Sequence, residues 1–267
     1  MHVTSLAFDL GVTQTDQVRG LLPVVGAQLA RLSASEDFMP LLPVFQNLSY
    51  VHIHAISTFQ PRDPVNVLAL AVLPALRTLR VTGNTNSTHT RFVEELTQLE
   101  HLILIHTVPF QASEGNALPQ SLRSLEMDLW GYQPSVQSKL PCRRVLQQFS
   151  GKLKCLSLGK FAGQFNPVSQ LGALACLQQL KHLSLCFADL SSTVDFSPHA
   201  AQAFTFPHLL SLHIVLQDYA SASLGLQWLS LPADPETRLR VCACQNGRPQ
   251  ERGQHPRWPA FHQLCST

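Results

Sequence analysis

The sequence predicts a curved α/β solenoid, with parallel strands on a concave face and helices or irregular segments on the convex face behind them. Three observations predict it. An apolar phrase recurs ten times along 267 residues, at steps of 19 to 31 residues that mostly fall between 23 and 29. Each copy reads apolar, two free positions, apolar, one free position, apolar, so it ends in the alternation of a strand with one buried face. Between copies lie helix-start signals and short apolar runs, which give the chain a return path behind the sheet.

In chain order the copies are Val3/Leu6/Phe8, Leu29/Leu32/Ala34, Leu48/Val51/Ile53, Leu76/Leu79/Val81, Leu99/Leu102/Leu104, Leu122/Leu125/Met127, Leu153/Leu156/Leu158, Leu180/Leu183/Leu185, Leu209/Leu212/Ile214 and a degraded Glu236/Leu239/Val241. The first begins almost at the first residue. Terminal repeats need a polar outer surface, so this reading expects an upstream domain or a subunit to cover that end. Several copies extend backwards by another apolar residue: Leu73, Leu96, Leu177, Phe206 and, one place looser, Phe149. Asp63-Pro64, Asn166-Pro167 and Ser197-Pro198 each pair an N-cap residue with a proline suited to the first helical position. They open "PVNVLALAVL", "PVSQLGALACL" and "PHAAQAF"; "TRFVEELTQL" and "CRRVLQQF" read as helices likewise. The solenoid is expected over residues 1–245, with a polar Pro/Arg/Gln-rich tail over 246–267.

The fullest copies, "LPALRTLRVTGN", "LTQLEHLILIHT", "LQQLKHLSLCFA" and "FPHLLSLHIVLQ", resemble the leucine-rich repeat, and the resemblance covers about residues 3 to 231. The chain departs from that family at the asparagine that ends the repeat, which only Asn84 supplies. Equivalent sites hold Gly11, Asp37, Ile56, Thr107, Trp130, Phe161, Ala188, Gln217 and Cys244, so no continuous asparagine ladder forms. Backbone groups there need other partners. The irregularity is similar to that of intracellular repeat proteins, including the receptor portions of F-box proteins and axonemal variants. The resemblance implies protein recognition through the concave face, as in the substrate-recognition part of an F-box-type ubiquitin ligase receptor. A structural or scaffold role in the cytoskeleton or axoneme is the alternative. No F-box is visible in the sequence.

Composition narrows the partners. Only 13% of residues are charged and the formal net charge is +2, too little for the broad positive field that attracts nucleic acid or an anionic membrane. The longest apolar run, "VNVLALAVLPAL", contains Asn66 and Pro74 and is much shorter than the roughly 20 residues a membrane helix needs. Seven cysteines, an odd number confined to the second half, imply no disulfide framework. With no secretory signal, these features predict a cytoplasmic protein, with nuclear, cytoskeletal or axonemal placement as variants.

No catalytic constellation is legible: HExxH, GxSxG, the Walker loop and GxGxxG are absent, and the carboxylates are scattered. The chain is expected not to be an enzyme and to need no cofactor. Cys242, Cys244, His255, His262 and Cys265 offer the best metal-ligand set, but a CxC pair with long uneven gaps is weak beside two CxxC knuckles. A zinc-binding or enzymatic role centred on the tail is the weakest alternative.

The free strand positions carry the functional expectation. Ten strands at about 4.8 Å spacing would present a face about 43 Å long. On it fall Tyr50, His52 and His54; Thr78 and Arg80; His101, Ile103 and Ile105; Glu126 and Asp128; then Cys155, His182 and His213, and finally Arg238 and Arg240. Tyr and Arg are enriched in interface hot spots, and two exposed isoleucines would be needless without a partner. The third to sixth strands, with His182, are therefore expected to form the partner site.

Overall fold

The computed structural model describes residues 5–7, 26–54, 68–82, 95–105, 119–128, 151–161, 174, 176–187, 204–217, 229–230 and 238–244. The chain divides into two compact units, Met1–Leu122 and Arg123–Thr267. Each carries short, parallel strands in the order of the sequence.

Strands β1 (Ser5–Ala7), β2 (Arg31–Ser35), β3 (Tyr50–His54), β4 (Thr78–Thr82) and β5 (His101–Ile105) belong to the first unit. Each pairs in parallel with the next, in register, so that Leu32, Val51, Leu79 and Leu102 form one row and Ala34, Ile53, Val81 and Leu104 a second. All eight are buried, as are Leu29, Leu48, Leu76 and Leu99 just before the strands. Fully burying a leucine contributes about 1.5–3 kcal/mol, and no single strand has another way to cover this face.

The second unit repeats the pattern with β6 (Ser124–Asp128), β7 (Cys155–Phe161), β8 (His182–Phe187), β10 (Ser211–Gln217) and β12 (Arg238–Cys244). Two-residue strands β9 (Phe204–Thr205) and β11 (Leu229–Ser230) pair with each other, again in parallel. The degraded tenth copy is a true strand, since β12 pairs with β10 along all its length. Between Leu158 and Phe161 of β7 the register against β8 shifts by one residue, a bulge at Gly159-Lys160.

The backbone explains the two apolar positions that precede each strand. The N–H of Leu76 donates to the carbonyl of Leu73, Leu99 to Leu96, Leu180 to Leu177 and Leu209 to Phe206. The "LxxL" spacing is thus a one-turn reversal that buries both ends. A second device recurs at the strand starts. One carbonyl accepts two successive N–H groups from the next repeat: Ser49 and Tyr50 donate to Ala30, Arg77 and Thr78 to Ser49, Glu100 and His101 to Arg77. Lys154 and Cys155 donate to Arg123, Lys181 and His182 to Lys154, and Leu210 and Ser211 to Lys181. These shared carbonyls satisfy the backbone at the starts of β3, β4, β5, β7, β8 and β10, at the opposite end from the missing asparagines.

Little of the expected return path falls among the described residues. From "PVNVLALAVL" the described part yields one short α-helix, Leu68–Ala71. Phe204, expected to end the helix of "PHAAQAF", instead begins β9. The other expected helix starts, at Pro64, Pro167 and Pro198, lie outside the described residues, as does Asn84. A 3₁₀ helix over Glu36–Val44 was not expected. It carries Pro40 and Pro43, which donate no backbone N–H, and its Phe38 stacks on Phe45 with ring centroids 6.1 Å apart.

Candidate functional site: the polar face of strands β2 to β5

Alternation sends the residues between the buried rows to the other face of the first unit's sheet. Register then sorts them into columns. Arg31, Tyr50, Thr78 and His101 align in the first; Ser33, His52, Arg80 and Ile103 in the second; Ser35, His54, Thr82 and Ile105 in the third. The structure thus brings together all eight residues expected from β3, β4 and β5.

At the centre is a closed cluster of two imidazoles and two hydroxyls. Ser33 Oγ lies 3.2 Å from His52 Nδ1 and 3.0 Å from His54 Nε2. Thr82 Oγ1 lies 3.2 Å from His52 Nε2 and 3.3 Å from His54 Nδ1. The rings sit with centroids 3.9 Å apart and are tilted by 46°. Two neutral imidazoles and two hydroxyls supply one donor each, which matches the four contacts and lets the bonds run in one direction around the cycle. Burial, followed by the neighbouring His54 and Arg80, holds His52 down from 6.5 to about 4, so this ring is neutral at neutral pH.

Around this cluster the groups are aromatic, cationic or apolar. The Arg31 guanidinium lies over the Tyr50 ring, 4.5 Å from its centroid, a cation–π contact that pins the aromatic against β2. Arg80 Nε is buried and has no hydrogen-bond partner among the described residues. Ile105 is half-buried, whereas Ile103 is only 2% exposed. The expectation of two exposed isoleucines is therefore corrected: on this short sheet Ile103 is enclosed and acts as a packing residue.

The expected residues of the second unit behave differently. His182 is 7% exposed, and its Nδ1 lies 2.8 Å from Ser211 Oγ on the neighbouring strand. Burial first, then Lys181, lowers its pKa. Cys155, Ser124, Ser157 and Ser184 on the same strands are buried too, so His182 and Cys155 are not the open partner contacts that alternation alone suggests. Glu126 is half-buried on β6; the side chain of Asp128 and those of Arg238 and Arg240 lie outside the described residues. Cys155 is disulfide-bonded, while Cys176 and Cys186 form no disulfide. Cysteine count alone therefore does not fix the redox compartment.

The partner site expected from the sequence missed Arg31, Ser33 and Thr82. The signal was available: the second copy, Leu29/Leu32/Ala34, leaves 31, 33 and 35 as free positions. What it lacked was the register that sets Ser33 beside His52.

The cluster has a serine within reach of an imidazole, the first half of a nucleophilic dyad. The second half is missing in kind: the other nitrogen of each ring meets the Thr82 hydroxyl, not an orienting carboxylate. A ring held near pKa 4 is also a weak general base at neutral pH. The four nitrogens are already committed to hydroxyls, and among the described residues no three His, Cys, Asp or Glu side chains converge as metal ligands. The proposed tail ligands lie outside the described residues, apart from the backbone of Cys242 and Cys244 in β12. Among the described residues no helix is long and apolar enough to cross a membrane. No protein-family model and no curated protein sequence matches the chain.

Proposed function

We propose that the chain is a non-catalytic recognition module that binds another protein through the polar face of β2 to β5. The observation that supports this reading most is the convergence of Tyr50, Arg80, His52, His54 and Thr82 on adjacent strands. It joins an aromatic and a guanidinium, the residue types that dominate interface energetics, with hydroxyl and imidazole groups able to donate or accept. Backbone bonding in the strands holds all of them on a fixed frame, which lowers the ordering cost of association. The leucine-rich repeat resemblance points the same way, toward either the substrate-binding part of a ubiquitin ligase receptor or a scaffold.

The test is capture of partners from cells by the full chain. Tyr50→Ala combined with Arg80→Ala is expected to remove specific partners at unchanged far-UV circular dichroism, while Val72→Ser, at an exposed site of the turn before β4, retains them. Equal capture by all three proteins contradicts the reading. Ubiquitin-ligase subunits among the lost partners favour a receptor; cytoskeletal proteins alone favour a scaffold.

A further inference from the structure

The face of β2 to β5 has a one-sided chemistry. Its register positions hold Arg31, Arg80, His52, His54 and His101 beside Tyr50, Ser33, Ser35, Thr78 and Thr82, and not one acid. Glu95 and Glu100 stand before β5, and Glu100 Oε1 is 3.7 Å from Arg77 Nε at the strand starts. Arg80 carries the second observation, a buried guanidinium nitrogen left without a partner among the described residues. An unmet donor on a charged group is costly and leaves the guanidinium charge uncompensated within the face, and a carboxylate is the group that would compensate it best.

We propose that this face takes a carboxylate-rich segment of a partner protein, with carboxylates set against Arg80 and the His52–His54 pair. The inference rests on the recognition reading above and names the partner's chemistry. The hydrogen-bond cycle gives the site a proton linkage. With both imidazoles neutral, four donors fill four contacts and none points outward. A proton gained by the His52 ring adds a fifth donor, which frees a Ser33 or Thr82 hydroxyl hydrogen to turn toward an incoming acceptor. The charged and titratable groups on this face around His52 are His54 and Tyr50 on its own strand, Arg31 on β2, Arg80 on β4 and His101 on β5. The cations among them oppose protonation while the site is empty; a bound carboxylate reverses that balance. Binding therefore takes up protons and strengthens as pH falls.

The probe is fluorescein-labelled deca-glutamate, titrated with the full chain at about 50 mM salt, where screening between neighbouring charges is weak. Deca-lysine and a neutral Gly/Ser decapeptide serve as controls. Deca-glutamate is expected to bind at least about tenfold more tightly than either and to tighten by about threefold to tenfold between pH 7.5 and 5.5, since one proton allows at most one decade per pH unit. Arg80→Ala is expected to weaken it about tenfold, with Arg80→Lys intermediate. His52→Gln with His54→Gln keeps polar contacts to both hydroxyls and is expected to flatten the pH dependence. Deca-glutamate binding no better than the controls, or indifference to Arg80 and pH, overturns the proposal. So does equal binding of a DNA oligonucleotide, which would reveal a general polyanion surface. If partners captured by the chain depend on Tyr50 and Arg80 but are not displaced by deca-glutamate, the acidic-segment inference fails and the recognition reading stands.

Discussion

Ile103 shows how one side chain changes role once its neighbours are known. Alternation places it on the polar face, opposite Leu102 and Leu104, yet it is as enclosed as they are. Its truncation therefore belongs to stability, not to binding. Ile103→Ala is expected to cost about 2–4 kcal/mol, read as a lowered midpoint in urea unfolding, and a loss below about 0.5 kcal/mol would place the side chain outside the core. His52 makes the complementary case. Its position between Val51 and Ile53 announces a residue on the polar face, and there the sequence is legible. Its neutral state at neutral pH is not, because that state comes from burial and from His54 and Arg80 acting across strands. Likewise, the distance from Ser33 to His52 depends on a pairing between residues 19 positions apart that no local spacing encodes.

At the scale of the element, the repeat is a turn, a shared carbonyl and a strand. The leucines at the two ends of the turn are legible as apolar positions, and every described copy of the strand forms where the phrase falls. The paired N–H donation to a single carbonyl carries no side-chain signature and so has no trace in the sequence. Leu99 closes the turn before β5 and is fully buried, whereas Arg77 spans two strand starts on the surface, donating to Gln98 Oε1 at 2.6 Å. Leu99→Ala is expected to destabilise the protein by about 2–5 kcal/mol and Arg77→Ala by less than about 1 kcal/mol, the second difference shrinking further in high salt. Chemical denaturation of both variants checks the order; a larger effect at Arg77 would mean that surface pairing, not the apolar rows, holds the strand starts together. The segments behind the strands were the least legible. One of them is a 3₁₀ helix that no spacing announced, and the pairing of β9 with β11 joins residues with no shared motif.

At the scale of the whole molecule, the two units share one construction and differ in the face they leave open. In the first, half-buried Tyr50, His52, Arg80 and Thr82 and exposed His54 meet solvent around buried Ser35 and Ile103; in the second, Cys155, Ser157, His182 and Ser184 are buried at comparable positions, and Glu126, Ser211 and His213 are half-buried. Strand phase predicts both sets as surface, because it reports which side of a sheet a residue occupies and not what covers that side. The proposed recognition function therefore falls to the first unit. Photo-cross-linking tests it most directly. A benzophenone amino acid at position 105 replaces half-buried Ile105 beside Thr82; the same group at exposed position 72 is the control. In cells, discrete protein adducts are expected from position 105, absent from position 72, lost with Arg80→Ala and, in lysate, suppressed by deca-glutamate. Adducts of equal yield from both positions, or none from position 105, would contradict a partner site on this face.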